Sequence, residues 1–176
     1  MSGQTGRYQR SPAGLVGAMI VLVAVSVTFV LVRDLTRDEQ SSRMPAIDYA
    51  RDAEFAEGEA GFEVLSPATL PDGWRATTAR YVAGANERWH LGLLTDDDRY
   101  VGLEQSAGSA ESMVETHVDA EAVPGDPVSV AGEDWSTWTD DGGDLALVRE
   151  QGGATTLVVG HEVPSEDLVA FVDSLR

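Results

Sequence analysis

Trp89-His90-Leu91-Gly92-Leu93-Leu94-Thr95-Asp96-Asp97-Asp98-Arg99-Tyr100-Val101-Gly102-Leu103-Glu104-Gln105 is the stretch that decides how this chain folds. Two short apolar runs flank a cluster of aspartates, the pattern of two strands joined by a turn. Side chains alternate sides along a strand, so Trp89, Leu91 and Leu93 share one face of the first, and Val101 and Leu103 share one face of the second. Both sets reach the same side only if the loop holds an odd number of residues. The simplest such loop is Asp96-Asp97-Asp98, with Thr95 opposite Arg99. Leu91 then faces Leu103, and Leu93 faces Val101. On the other side His90 falls opposite Glu104, and Gly92 opposite Gly102. Paired glycines leave a notch in a sheet surface, edged here by a His–Glu hydrogen bond. One reading makes the notch a small-ligand site with an acid–base pair at its rim. The favoured reading fills it with a helix backbone or a large side chain and makes His90–Glu104 an ordinary cross-strand pair.

Further strands are expected near residues 74–82, 127–131, 134–139, 144–149 and 154–160, with the hairpin itself over 88–95 and 99–105. Gly84-Ala85-Asn86, Asp140-Asp141-Gly142-Gly143 and Gln151-Gly152-Gly153 supply turns short enough to require antiparallel pairing. Three helices are expected: Ala46 to Glu59, stopped by Gly58 and Gly61; Ser109, as N-cap, through Val118; and Ser165, as N-cap, through Leu175. In the last, Leu168, Val169, Phe171, Val172 and Leu175 form one apolar stripe. The pattern gives an α+β fold: an antiparallel β-sheet with helices packed on one face. Each of two hairpins leads into a Ser-capped helix, which raises two β-rich halves, each closed by a helix.

Upstream, Pro12 to Val32 carries no charge. As a helix it would span roughly 30 Å, the thickness of a bilayer hydrocarbon core. The run exceeds a cleavable signal peptide's apolar region and lacks a small-x-small cleavage site, so a retained signal anchor is expected. The chain then divides into a short cytoplasmic tail, 1–11, a transmembrane helix, 12–32, a juxtamembrane linker, 33–44, and an acidic extracytoplasmic domain, 45–176. Counting basic flanks alone, Arg7 and Arg10 against Arg33, Arg37 and Arg43, does not favour the N-terminus inside.

From Arg33 onward ten arginines stand against thirty acids, a formal charge of −20. Such a field repels phosphate backbones, so no nucleic acid partner is expected. There is no lysine, and the absence of cysteine removes disulfides, thiol nucleophiles and thiolate metal sites. Neither Asp96–Asp98 nor Asp140, Asp141 and Asp144 matches the alternating twelve-residue calcium loop. His117 and His161 stand apart from co-ligands in sequence, and no serine has a G-x-S-x-G context. No catalytic residue, metal site or cofactor is therefore assigned. Trp135 and Trp138 point to opposite faces of one strand, one to the core and one, Trp138, as a contact for a partner or glycan.

Ile47-Asp48-Tyr49, Val64-Leu65-Ser66-Pro67, Leu70-Pro71-Asp72-Gly73-Trp74-Arg75, Trp89-His90-Leu91-Gly92, Tyr100-Val101-Gly102-Leu103-Glu104-Gln105 and Leu147-Val148-Arg149 follow an Arg-flanked membrane helix. Together they resemble an actinobacterial family of membrane-anchored proteins, domain-of-unknown-function family 4245. The resemblance implies an uncharacterised cell-envelope protein, N-terminus in, with its domain outside the cell membrane. It supplies no activity and no catalytic residue. The expected function is a non-enzymatic binding or scaffolding module with an envelope protein partner, held to the lipid bilayer through residues 12–32. The alternatives are a hydrolase-like envelope enzyme or a small-ligand or cation sensor, either using the His90–Glu104 notch with Gly92 and Gly102.

Overall fold

Strands of the computed structural model form one antiparallel sheet, and its order follows from the two hairpins. The structure describes residue 19, residues 21–29 and residues 44–176. β1 (Arg75–Val82), β2 (Arg88–Leu94) and β3 (Tyr100–Ser106) form a meander, as do β6 (Glu133–Thr139), β7 (Asp144–Gln151) and β8 (Ala154–His161). β3 pairs with β8, which joins the meanders in the order β1-β2-β3-β8-β7-β6. Two short strands, β4 (Val123–Pro124) and β5 (Val128–Val130), both pair with β6 at the far edge. β4 went unforeseen because two residues carry no alternation to read.

The β2–β3 register is the expected one, with Leu91 opposite Leu103, His90 opposite Glu104 and Gly92 opposite Gly102. Thr95 N–H donates to the Arg99 carbonyl at 2.9 Å and closes the three-aspartate loop. Asp98 takes a left-handed φ of 59°, a conformation aspartate tolerates better than most residues.

Three helices pack on this sheet: α1 (Ala50–Glu59), α2 (Ala110–His117) and α3 (Ser165–Asp173). Helices on one face is a correction. Ala53 and Ala56 of α1 and Leu168, Phe171 and Val172 of α3 share a core with Leu91, Leu103, Leu147 and Val158. Met113 and Val114 of α2 pack instead with Ala146, Val148, Leu157 and Val159, the alternate residues of β7 and β8. These central strands are apolar on both faces, so each face needs a cover. Two three-stranded halves, each followed by a helix, are present, but they are not symmetry-related copies. Antiparallel β3 and β8 could be exchanged only by a two-fold axis perpendicular to the sheet, which would leave both closing helices on one side.

Helix α1 starts at Ala50 rather than Ala46, because Ile47 N–H donates to the Ala76 carbonyl at 2.9 Å and ties the preceding segment to β1. Ser109 caps α2 as expected, accepting from Ser112 N–H at 3.3 Å. Pro164, not Ser165, takes the N-cap position of α3, with no side-chain cap bond. Helix α3 approaches β8 closely at Gly160, where an added Cβ would stand 2.8 Å from Leu168 Cδ2 and 2.9 Å from Val163 Cβ.

Residues 21–29 are helical with exposed side chains. Among the described residues no helix is long and apolar enough to cross a membrane. The rest of the expected 12–32 span, the tail 1–11 and the linker through residue 43 lie outside the described residues.

Candidate functional site

Alternation along β2 and β3 places His90, Gly92, Gly102 and Glu104 together on the face opposite α1 and α3. His90 Nδ1 lies 2.5 Å from Glu104 Oε1. Glu104 is only 7% exposed, so its carboxylate depends on protein partners. Nδ1 is the ring nitrogen that faces the carboxylate, which leaves Nε2 for other partners. That Nε2 stands 3.2 Å from the position a Cβ on Gly92 would take.

A second imidazole joins the pair. His117 Nδ1, at the end of α2, lies 3.8 Å from the same Glu104 oxygen. This corrects the reading of His117 as isolated, and the signal was available: it follows Met113 and Val114 by four and three residues, on the helix face that meets the sheet. His161 is also partnered, at 2.7 Å from Asp144 Oδ1 across the β7–β8 pair. Among the described residues no three His, Cys, Asp or Glu side chains are grouped to hold a metal ion. Asp98 instead pairs with Arg75, and Asp140 accepts from Asp144 N–H at 2.7 Å.

A side chain occupies the glycine notch. Tyr100, two residues before Gly102 on the same face, lays its ring over both glycines. Its hydroxyl is 3.0 Å from a Cβ placed on Gly102, and its Cε2 is 3.5 Å from one placed on Gly92. Although Tyr100 is 41% exposed, its polar end is turned down onto the sheet. That burial, reinforced by the charge of Glu104, pushes the phenol up to about 12. A ligand at this face would meet a tyrosine ring beside a His–Glu pair rather than bare glycine.

The family motifs now have positions. From residue 7 to residue 175 the sequence matches the model of the family described as Protein of unknown function (DUF4245). The chain belongs to that family. A comparison with curated proteins gives no match. In this DUF4245 domain the motif residues of β2 and β3 divide by side. Trp89 and Gln105 turn towards the α1–α3 core and fasten the incoming chain. Trp89 Nε1 donates to the Leu65 carbonyl at 3.1 Å, and Leu65 N–H donates to Gln105 Oε1 at 2.7 Å. Gln105 Nε2 donates to the Glu63 carbonyl at 3.1 Å and to Thr156 Oγ1 at 3.0 Å. Gln105 was not singled out from the sequence; its signal was a polar residue at an apolar-face position.

Trp74, from the Leu70–Arg75 motif, stacks on Phe171 of α3 at 5.6 Å between ring centroids. Trp135 is buried with the Arg149 guanidinium 4.8 Å from its ring centroid. Trp138 does lie on the other face, as expected, where it pairs with Ala146 of β7 and Pro124 of β4. It is half-buried against the α2 cluster, and its Nε1 is buried without an acceptor among the described residues. Four strand spacings of about 4.8 Å separate β6 from β2, so Trp138 stands roughly 19 Å or more from His90. The structure therefore brings His90, Glu104, Gly92 and Gly102 together, adds His117 and Tyr100, and leaves Trp138 outside.

Proposed function

We propose that this DUF4245 protein is a single-pass membrane-anchored protein of the cell envelope. Its acidic, outward-facing domain serves as a non-enzymatic binding or scaffolding module for an envelope protein partner. The anchor reading is supported by the uncharged run Pro12–Val32, of which residues 21–29 are helical. The binding reading rests on one observation. Helix α2 packs on β7 and β8 and reaches the β1–β3 face only at its edge, through His117 beside Glu104, so the surface around Tyr100 has no helix laid over it among the described residues. That face presents Tyr100, 41% exposed, at one end and exposed Arg80 and Arg88 towards the other. Aromatic and arginine side chains on an open surface suit a protein contact. The hydrolase reading has less in its favour, because the notch meant for substrate holds the Tyr100 ring.

The absence of cysteine makes topology directly testable. Full-length Glu57→Cys protein should stay in the membrane pellet through an alkaline carbonate wash and react with a membrane-impermeant maleimide in intact cells. Release by carbonate would refute the anchor; membrane retention with labelling only after lysis would refute the outward orientation.

A further inference from the structure

We infer that the cleft between the β1–β2 turn and α2 binds a compact oxyanion, a phosphate ester or a carboxylate, held by Arg88 and His117. This rests on the domain being a binding module and assigns it a separate site with its own ligand chemistry. The cleft encloses about 530 Å³. Small-molecule clefts run from roughly 300 to 1,000 Å³. Asn86, Arg88, Ser112 and His117 line it with polar groups, while the Ser106 and Thr116 hydroxyls at its wall already donate to Met113 Sδ and the Ser112 carbonyl.

Arg88 supplies the guanidinium of the set and, like Arg51 and Arg80, has no ion-pair partner among the described residues. The described domain carries seven arginines against 27 acidic residues. Arg75 and Arg149 pair with Asp98 and Glu133. The Arg88 side chain is exposed and makes no hydrogen bond or ion pair among the described residues. A guanidinium left unpaired amid so many carboxylates keeps its fork of N–H groups for an outside oxyanion. His117 contributes in a similar way. Glu104 approaches only its Nδ1, and its Nε2 makes no hydrogen bond among the described residues.

Two carboxylates lie nearby, and both are engaged. Glu104 sits behind the cleft and is shared between His90 and His117. Glu87 lines the cleft, but its Oε1 accepts from Gly61 N–H at 3.0 Å and from the Tyr81 hydroxyl. Arg80, opposite His90 on β1, adds positive charge to the same face. The surrounding acidic surface sets the size of the ligand. A long polyanion would run across repelling carboxylates, whereas a compact one stays within about one Debye length, roughly 8 Å, of the local arginines.

The three histidines, His90, His117 and His161, give one imidazole ring signal each in a histidine-labelled NMR spectrum of the full chain in detergent micelles. Inorganic phosphate and succinate would be titrated separately at constant ionic strength. At least one should shift the His117 signal saturably while His161 stays fixed, and the arm that saturates identifies phosphate or carboxylate chemistry. Arg88→Gln should raise the half-saturating concentration at least about tenfold, and Arg51→Gln, on α1, should leave it unchanged. The inference is overturned if neither anion saturates His117, if Arg88→Gln has no effect, or if Arg51→Gln weakens binding equally. Because the readout is at His117, its failure would leave a protein contact at Tyr100 separately measurable.

Discussion

Tyr100 and Gly102 are matched in shape: the phenol oxygen lies 3.0 Å from the point a Cβ on Gly102 would occupy. The ring needs a floor without side chains, and Gly92 supplies the other half at 3.5 Å. The weakened acidity of the phenol and the exposed aromatic surface both follow from this one contact.

Gly102→Ala should therefore displace the Tyr100 ring without unfolding the domain. The obstructing atoms belong to a side chain that can swing out, so the stability change should stay under about 1 kcal/mol. Freed from the sheet, Tyr100 should titrate closer to 10 than to its native value of about 12. Ultraviolet titration of the variant checks this; an unchanged titration would show that the ring does not depend on the bare glycine.

Alkaline stability should carry the signature of the tyrosines. The hydrogen bond to Glu87 pushes Tyr81 up to about 12, and burial does the same for Tyr100. Between the unfolded value near 10 and about 12, the folded domain keeps protons that the unfolded chain loses. Their stabilising contribution is thus complete below about pH 10 and disappears as pH rises through 12. With no lysine or cysteine in the chain, few other groups change charge there. Melting temperature should fall over that interval, and less so in the Tyr81→Phe, Tyr100→Phe double variant.

Gln105→Leu should cost about 1–3 kcal/mol, since it removes the partner of the partly buried Leu65 N–H and of the Glu63 carbonyl. Denaturant unfolding measures the loss, and amide exchange at Leu65 should accelerate. A cost below about 0.5 kcal/mol would mean that the 63–65 segment is held by packing alone.

Gly160→Ala is the counterpart of the Gly102 change and should be far worse. Its Cβ would stand 2.8 Å from Leu168 Cδ2 and 2.9 Å from Val163 Cβ inside a packed core. Such overpacking costs about 1–3 kcal/mol. Chemical denaturation of the two glycine variants side by side tests the contrast.

The β2–β3 hairpin was legible to the residue, because period-two alternation and an odd loop leave a single register for Leu91, Leu103, His90 and Glu104. Its association with β8 was not. Leu157, Val158 and Val159 are consecutive and all buried, so no alternation along them marks a face or a register. That continuous run also concealed α2 on the second face, and with it the approach of His117 to Glu104. The filled notch was half legible: a large side chain was foreseen, but Tyr100 was hidden by lying two residues along the same strand.

The open face around Tyr100 is tested most directly by placing a photoreactive phenylalanine analogue at position 100 of the full-length protein in its native cells. A discrete light-dependent adduct with one envelope protein is expected, absent when the analogue replaces exposed Glu57 on α1. Adducts indistinguishable between the two positions, or none at position 100, would contradict the binding surface.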